Sequence, residues 1–168
     1  MKITFNGEEF VVLQAVLEAN AVLKNSEFYE IVAQHDQFDM ANISPALIAG
    51  LMEASNLQFN VEVFRPTIFN FFKYYKTYAY TDGAYPNTLF LNANKLNRQP
   101  AEIAATIIHE TVHAVNNTTS YEFGHGDNTS VGKENTAPYW IGNLAYLLLT
   151  GNRPTSNQLA FTGITVNA

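Results

Sequence analysis

Gln99-Pro100-Ala101-Glu102-Ile103-Ala104-Ala105-Thr106-Ile107-Ile108-His109-Glu110-Thr111-Val112-His113-Ala114-Val115-Asn116-Asn117 is the stretch on which the fold turns. Its spacing predicts one helix. Gln99 or Asn97 can cap it, Pro100 suits the first turn, and Glu102 complements the helix dipole there. Asn116-Asn117 are plausible stop residues. Ile103 and Ile107 form one apolar edge, and Ile108, Val112 and Val115 form another, so the helix is expected to be largely buried. Through it runs a polar stripe of Glu102, Thr106, His109, His113 and Asn116. Buried polar groups need partners, and a metal ion would satisfy two of these histidines at once.

Within this helix, His109-Glu110-Thr111-Val112-His113 reads H-E-x-x-H. Residues i and i+4 of a helix share a face, so both imidazoles can reach one ion. Glu110 then lies beside it, placed to take a proton from a metal-activated water. Zinc (Zn2+) lowers the pKa of such a water to about 7. The chemistry implied is metal-assisted hydrolysis, most often of a peptide bond.

These five residues, with their helix and the strand before it, resemble the zincin metallopeptidases over about residues 85–117. The resemblance implies an α+β, zincin-like fold: a mixed sheet packed on the HExxH helix, with additional helices. It implies a peptide or protein substrate, Glu110 as general base, and an edge strand over the cleft that pairs with substrate. Thr88-Leu89-Phe90-Leu91-Asn92 is the matching segment for that strand. The chain departs from the common subfamily patterns. Asn116 and Thr119 stand where a metzincin has Gly and a third His. Glu134 has the separation of a gluzincin ligand, but Pro138 follows shortly and argues against a continuous helix.

The third ligand is sought in Tyr121-Glu122-Phe123-Gly124-His125-Gly126-Asp127-Asn128. His125 sits between two glycines, which allow a sharp turn. Two helix histidines plus one from a following loop make an ordinary zinc site, so His125 is preferred, with Asp127 and Glu134 as alternatives. A carboxylate left over can orient a ligand histidine. Tyr139, ahead of Tyr121, is the candidate to help stabilise an oxyanion. His35, in the polar run Gln34-His35-Asp36-Gln37, is expected at the surface. Two other functions share these residues: a zinc amidase acting on cell-wall peptides as an exported effector, and a non-catalytic metal-binding interaction module. If His125 and Asp127 both bound the ion, four protein ligands would close the site.

Composition limits the remaining choices. The 168 residues suit a single domain, 1–168, with a real core. The net charge is −6 and there is no basic run, which argues against nucleic acid as a partner. With no cysteine, disulfides, thiol catalysis and cysteine zinc sites are excluded. The longest apolar run, Tyr139 to Leu149, is too short to span a bilayer. The N-terminus lacks the basic-then-apolar pattern of a signal peptide. Sequons at Asn116, Asn117 and Asn128 would crowd the site with glycans, which disfavours a eukaryotic secretory route. Low charge and abundant Asn suit a mature exported bacterial protein or a delivered effector.

Elsewhere, Asn6-Gly7 signals a hairpin, although Val11 to Ala19 has helical spacing, so a strand followed by a helix is equally fair. Helices are expected over Ser26 to Gln34, from Ser44-Pro45 to Ala54, and over Pro138 to Leu149. Phe59, Val61 and Val63 alternate as in a strand. Phe69 to Tyr80 is expected to be strand, Thr81-Asp82-Gly83 a turn, and Leu159 to Val166 a last strand. Most of the aromatics from Phe69 to Tyr80 are expected to serve packing.

Overall fold

A computed structural model describes residues 1–69, 71–82, 84–126 and 131–152. Strand β1 (Lys2–Phe5) leads into helices α1 (Phe10–Leu23), α2 (Ser26–Ala33) and α3 (Pro45–Ala54), and then β2 (Gln58–Phe64). A single turn, α4 (Phe71–Tyr74), precedes β3 (Ala79–Asp82) and β4 (Tyr85–Asn92). Helices α5 (Pro100–Asn117) and α6 (Ala137–Thr150) complete the described elements. The four strands form a mixed sheet in the order β1-β2-β4-β3, with only β3 antiparallel to its neighbour. The fold class is α+β.

The end of β1 decides between hairpin and helix. Glu9 caps a 14-residue helix instead of opening a second strand, because Val12, Ala15, Val16 and Ala19 form a stripe at helical spacing that is buried in the core. Asn20 of α1 then reaches the outer edge of β1. Its side-chain oxygen accepts from Ile3 N–H at 3.0 Å and its amide donates to Ile3 C=O at 2.8 Å. One side chain thereby satisfies a residue of an edge strand as a neighbouring strand would. Helix α3 begins as its sequence suggests, with Pro45 in the first turn and the Ser44 hydroxyl accepting from Leu47 N–H.

The inner face of the sheet presents Ile3, Phe59, Val61, Leu89 and Leu91, all buried in the same core as Ile103, Ile107 and Ile108 of α5. The outer face is aromatic. Tyr80 stacks on Phe90 at 5.0 Å and on Tyr74 at 5.5 Å, and Phe64 meets both tyrosines edge-on. This arrangement corrects the expectation of a strand from Phe69 to Tyr80. Only Ala79–Asp82 is strand, and Phe71–Tyr74 is a helical turn. The buried Asn92 amide explains the difference: it donates to the carbonyls of Tyr74 and Thr77, at 3.0 and 2.9 Å. The segment is thus folded back over the sheet, and tertiary packing overrides aromatic strand propensity.

The Thr88–Asn92 expectation is corrected in its position. That segment lies in β4, which pairs with β2 on one side and β3 on the other, so it is internal. The antiparallel edge is β3. His35 is not a surface residue either. It is half-buried, its ring 4.5 Å from Phe38 and 4.4 Å from Trp140, with Nε2 2.9 Å from Asn135 Oδ1. The Leu159 to Val166 expectation lies outside the described residues. Among the described residues, no helix is long and apolar enough to cross a membrane.

Candidate metal centre

Helix α5 starts on a capping box: Glu102 turns back to accept from Gln99 N–H at 2.8 Å, and Pro100 fills the first turn. The polar stripe then finds a partner at each level. Arg98 donates to the Thr106 hydroxyl at 3.1 Å, and that hydroxyl donates to the Glu102 carbonyl at 3.0 Å. One turn further along, His109 and His113 face His125. Their Nε2 atoms lie 3.2 Å (His109–His125), 2.9 Å (His113–His125) and 3.3 Å (His109–His113) apart. The three histidines form a cluster that can hold a metal ion.

The last polar residue of the stripe, Asn116, fastens the loop that brings in His125. Its amide donates to Tyr121 C=O at 2.6 Å, and its side-chain oxygen accepts from Phe123 N–H at 3.0 Å. A second tie joins the loop to the α2–α3 connection: Asn42 N–H donates to Glu122 C=O, and Glu122 N–H donates to Asn42 Oδ1. Phe123 is wholly buried and anchors the stretch between them. Of the two glycines expected to turn the chain at His125, only Gly126 takes a left-handed conformation, with φ of 75°.

Helix α6 closes the other side. A Cβ on Gly142 would stand 3.0 Å from the Ala105 carbonyl oxygen and 3.3 Å from His109 Cβ, so the absence of a side chain is what lets the two helices meet at the site. Tyr139, three residues earlier, packs its ring 4.6 Å from that of His109 and 4.7 Å from that of His125.

Burial sets the protonation of the cluster. His109 and His125 are almost fully buried, as is Glu110. Desolvation holds His109 well below the usual imidazole range. The neighbouring His113 and His125 push the same way, and the Pro138 backbone, a carbonyl without an N–H, pulls partly back. His113 is lowered to about 4, by desolvation first and by His125 second. Burial raises the Glu110 carboxyl to about 7. Neutral imidazoles are the form in which histidine donates a lone pair to a metal.

The remaining sequence candidates are placed as follows. Glu134 is not in the cluster, and its carboxylate accepts from Gly132 N–H at 3.3 Å. Asp127 lies outside the described residues. Tyr121 has an exposed ring and takes part through its carbonyl. Sequence reasoning placed Asn116 on the stripe but read it as a helix stop, missing that it clamps the loop. Its shared face with both histidines was the available signal. Compared with known proteins, the chain matches no family model, no curated relative and no solved structure.

Proposed function

We propose that this chain is a zinc-dependent hydrolase of peptide bonds with a zincin-like active site. The observation that carries the reading is the convergence of three imidazole Nε2 atoms on one point, with a buried carboxyl next in sequence to the first of them.

The donor set fits the ion. At zinc–nitrogen distances near 2.05 Å, a tetrahedral site separates its nitrogens by about 3.3 Å. The observed separations are 2.9 to 3.3 Å. Three uncharged nitrogens leave a dication its full charge, as in catalytic sites with a fourth position for water or substrate. When bound, zinc supplies an acidified water and polarises a carbonyl.

Glu110 accepts and returns the proton. Burial raises its carboxyl in the metal-free protein, and a dication beside it would favour the charged form that accepts a proton. Tyr139, whose ring packs against two of the three histidine rings, is the residue we assign to support the developing oxyanion. An extended substrate would add to the outer edge of β3, the antiparallel edge of the sheet.

The test begins with metal content by mass spectrometry for the wild type and His125→Ala, followed by peptide hydrolysis. Near-stoichiometric zinc that drops in the variant, together with cleavage by the wild type, supports the reading. A chain that binds no zinc after addition and dialysis overturns it.

A further inference from the structure

One cavity, of about 380 Å³, lies where the end of the sheet meets the C-terminal part of α5. Leu57, Phe59 and Ala114 supply its apolar surface. Thr81, Asp82, Asn87, Asn117 and Thr118 supply polar atoms, and among the described residues no Lys, Arg or His lines it. Its place relative to the metal centre follows from helix geometry. Glu110, Ala114 and Asn117 are spaced i, i+4, i+7 and share one flank of α5. The cavity therefore begins about one turn, roughly 5.4 Å, beyond Glu110. It also borders β3, the edge on which substrate would lie.

We infer that this cavity receives a substrate side chain next to the scissile bond and selects a basic one, Lys or Arg, through Asp82. The inference rests on the hydrolase reading above. An aliphatic stem can lie on Leu57, Phe59 and Ala114 while its charged head stays at the wetter rim. Asp82 is exposed and brings the only charge among the described lining residues. One of its oxygens accepts from Ala84 N–H at 2.9 Å, and the other is engaged by no described residue. A Glu or Asp side chain would meet that carboxylate with no compensating cation, whereas Lys or Arg would pair with it.

Two measurements on the zinc-loaded full chain test this. In the first, N-acetyl-lysine methylamide, its norleucine analogue and its glutamate analogue are titrated separately while the backbone amides of Ala114, Asn117 and Thr118 are followed by NMR. The lysine probe should bind about 1.4-fold to fivefold more tightly than norleucine, the range expected of one exposed ion pair, and glutamate more weakly still. Asp82→Asn retains the bond to Ala84 and removes only the charge, so lysine should fall to the norleucine level. Asp82→Lys should favour glutamate. Equal binding of all three probes, or perturbation only elsewhere, overturns the inference.

In the second, a peptide library is cleaved and the products sequenced. Cleavage beside Lys or Arg that weakens in Asp82→Asn supports the proposal. Cleavage with no such preference overturns it and leaves the hydrolase reading intact. Lysine-selective probe binding with no hydrolysis of any peptide supports the side-chain pocket and overturns the hydrolase reading instead.

Discussion

Glu110 and Asn116 sit one and a half turns apart on α5 and do different work. Glu110 carries the proton in the proposed reaction, so Glu110→Gln should retain zinc and lower kcat by roughly 10²- to 10⁴-fold. Metal content by mass spectrometry alongside single-substrate kinetics checks this, and full activity with full zinc would exclude Glu110 as the base. Asn116 is not a member of the three-histidine cluster. It holds Tyr121 and Phe123 and thereby the backbone that delivers His125. Asn116→Ala should weaken zinc binding by about 10- to 100-fold, the usual cost of losing a group that orients a ligand. Competition with a chromogenic chelator measures it. Unchanged affinity would mean that Phe123 burial and the Asn42 tie hold the loop alone.

Helices α5 and α6 make the site possible by approaching closely at Gly142. Gly142→Ala would place a methyl group 3.0 Å from a backbone carbonyl oxygen, which cannot move without shifting α5. The expected cost is about 1–3 kcal/mol of stability, read as a lower thermal midpoint, with weaker zinc binding because His109 Cβ is the next neighbour. A variant as stable as wild type would show that the helices can slide apart freely. At this scale most elements were legible. The caps at Ser44-Pro45 and Gln99-Pro100 are local chemistry, and the apolar spacing of α5 is intrinsic to its sequence. The aromatic segment before β3 was not, because its path depends on Asn92 donating to Tyr74 and Thr77, 18 and 15 residues earlier in the chain.

Across the whole molecule, the buried ionisable groups of the centre make the stability of the metal-free protein depend on pH. His109 and His113 are depressed in the folded state, so unfolded chains bind more protons than folded ones below the ordinary imidazole range. The His113 contribution is present above about 6.5 and is lost as pH falls toward 4, and His109 acts in the same direction. Glu110, raised to about 7, acts in the opposite sense: its contribution is present below about 4.5 and is lost as pH rises to 7. Two imidazoles outweigh one carboxyl, so the chelated protein should melt at a lower temperature at pH 5 than at pH 7. Glu110→Gln should steepen that difference, because it removes the opposing slope. Calorimetry across this range checks both, and a flat profile would show that the cluster is more hydrated than its burial implies. Excess zinc at pH 7 should raise the midpoint in proportion to the logarithm of its concentration over Kd.

The helix, its two histidines with Glu110 between them, and the preference for His125 could all be read from the chain alone, because helical periodicity and ligand spacing are local properties. Only the tertiary structure decided that His125 reaches the pair, that Tyr139 rather than Tyr121 brings its ring to them, and that Thr88–Asn92 lies inside the sheet with β3 at its edge. It also turned His35 from a surface residue into part of an aromatic stack. These outcomes depend on which distant segments pack together, and that is set by burial of the whole core and by a few long-range hydrogen bonds rather than by the spacing of neighbouring residues.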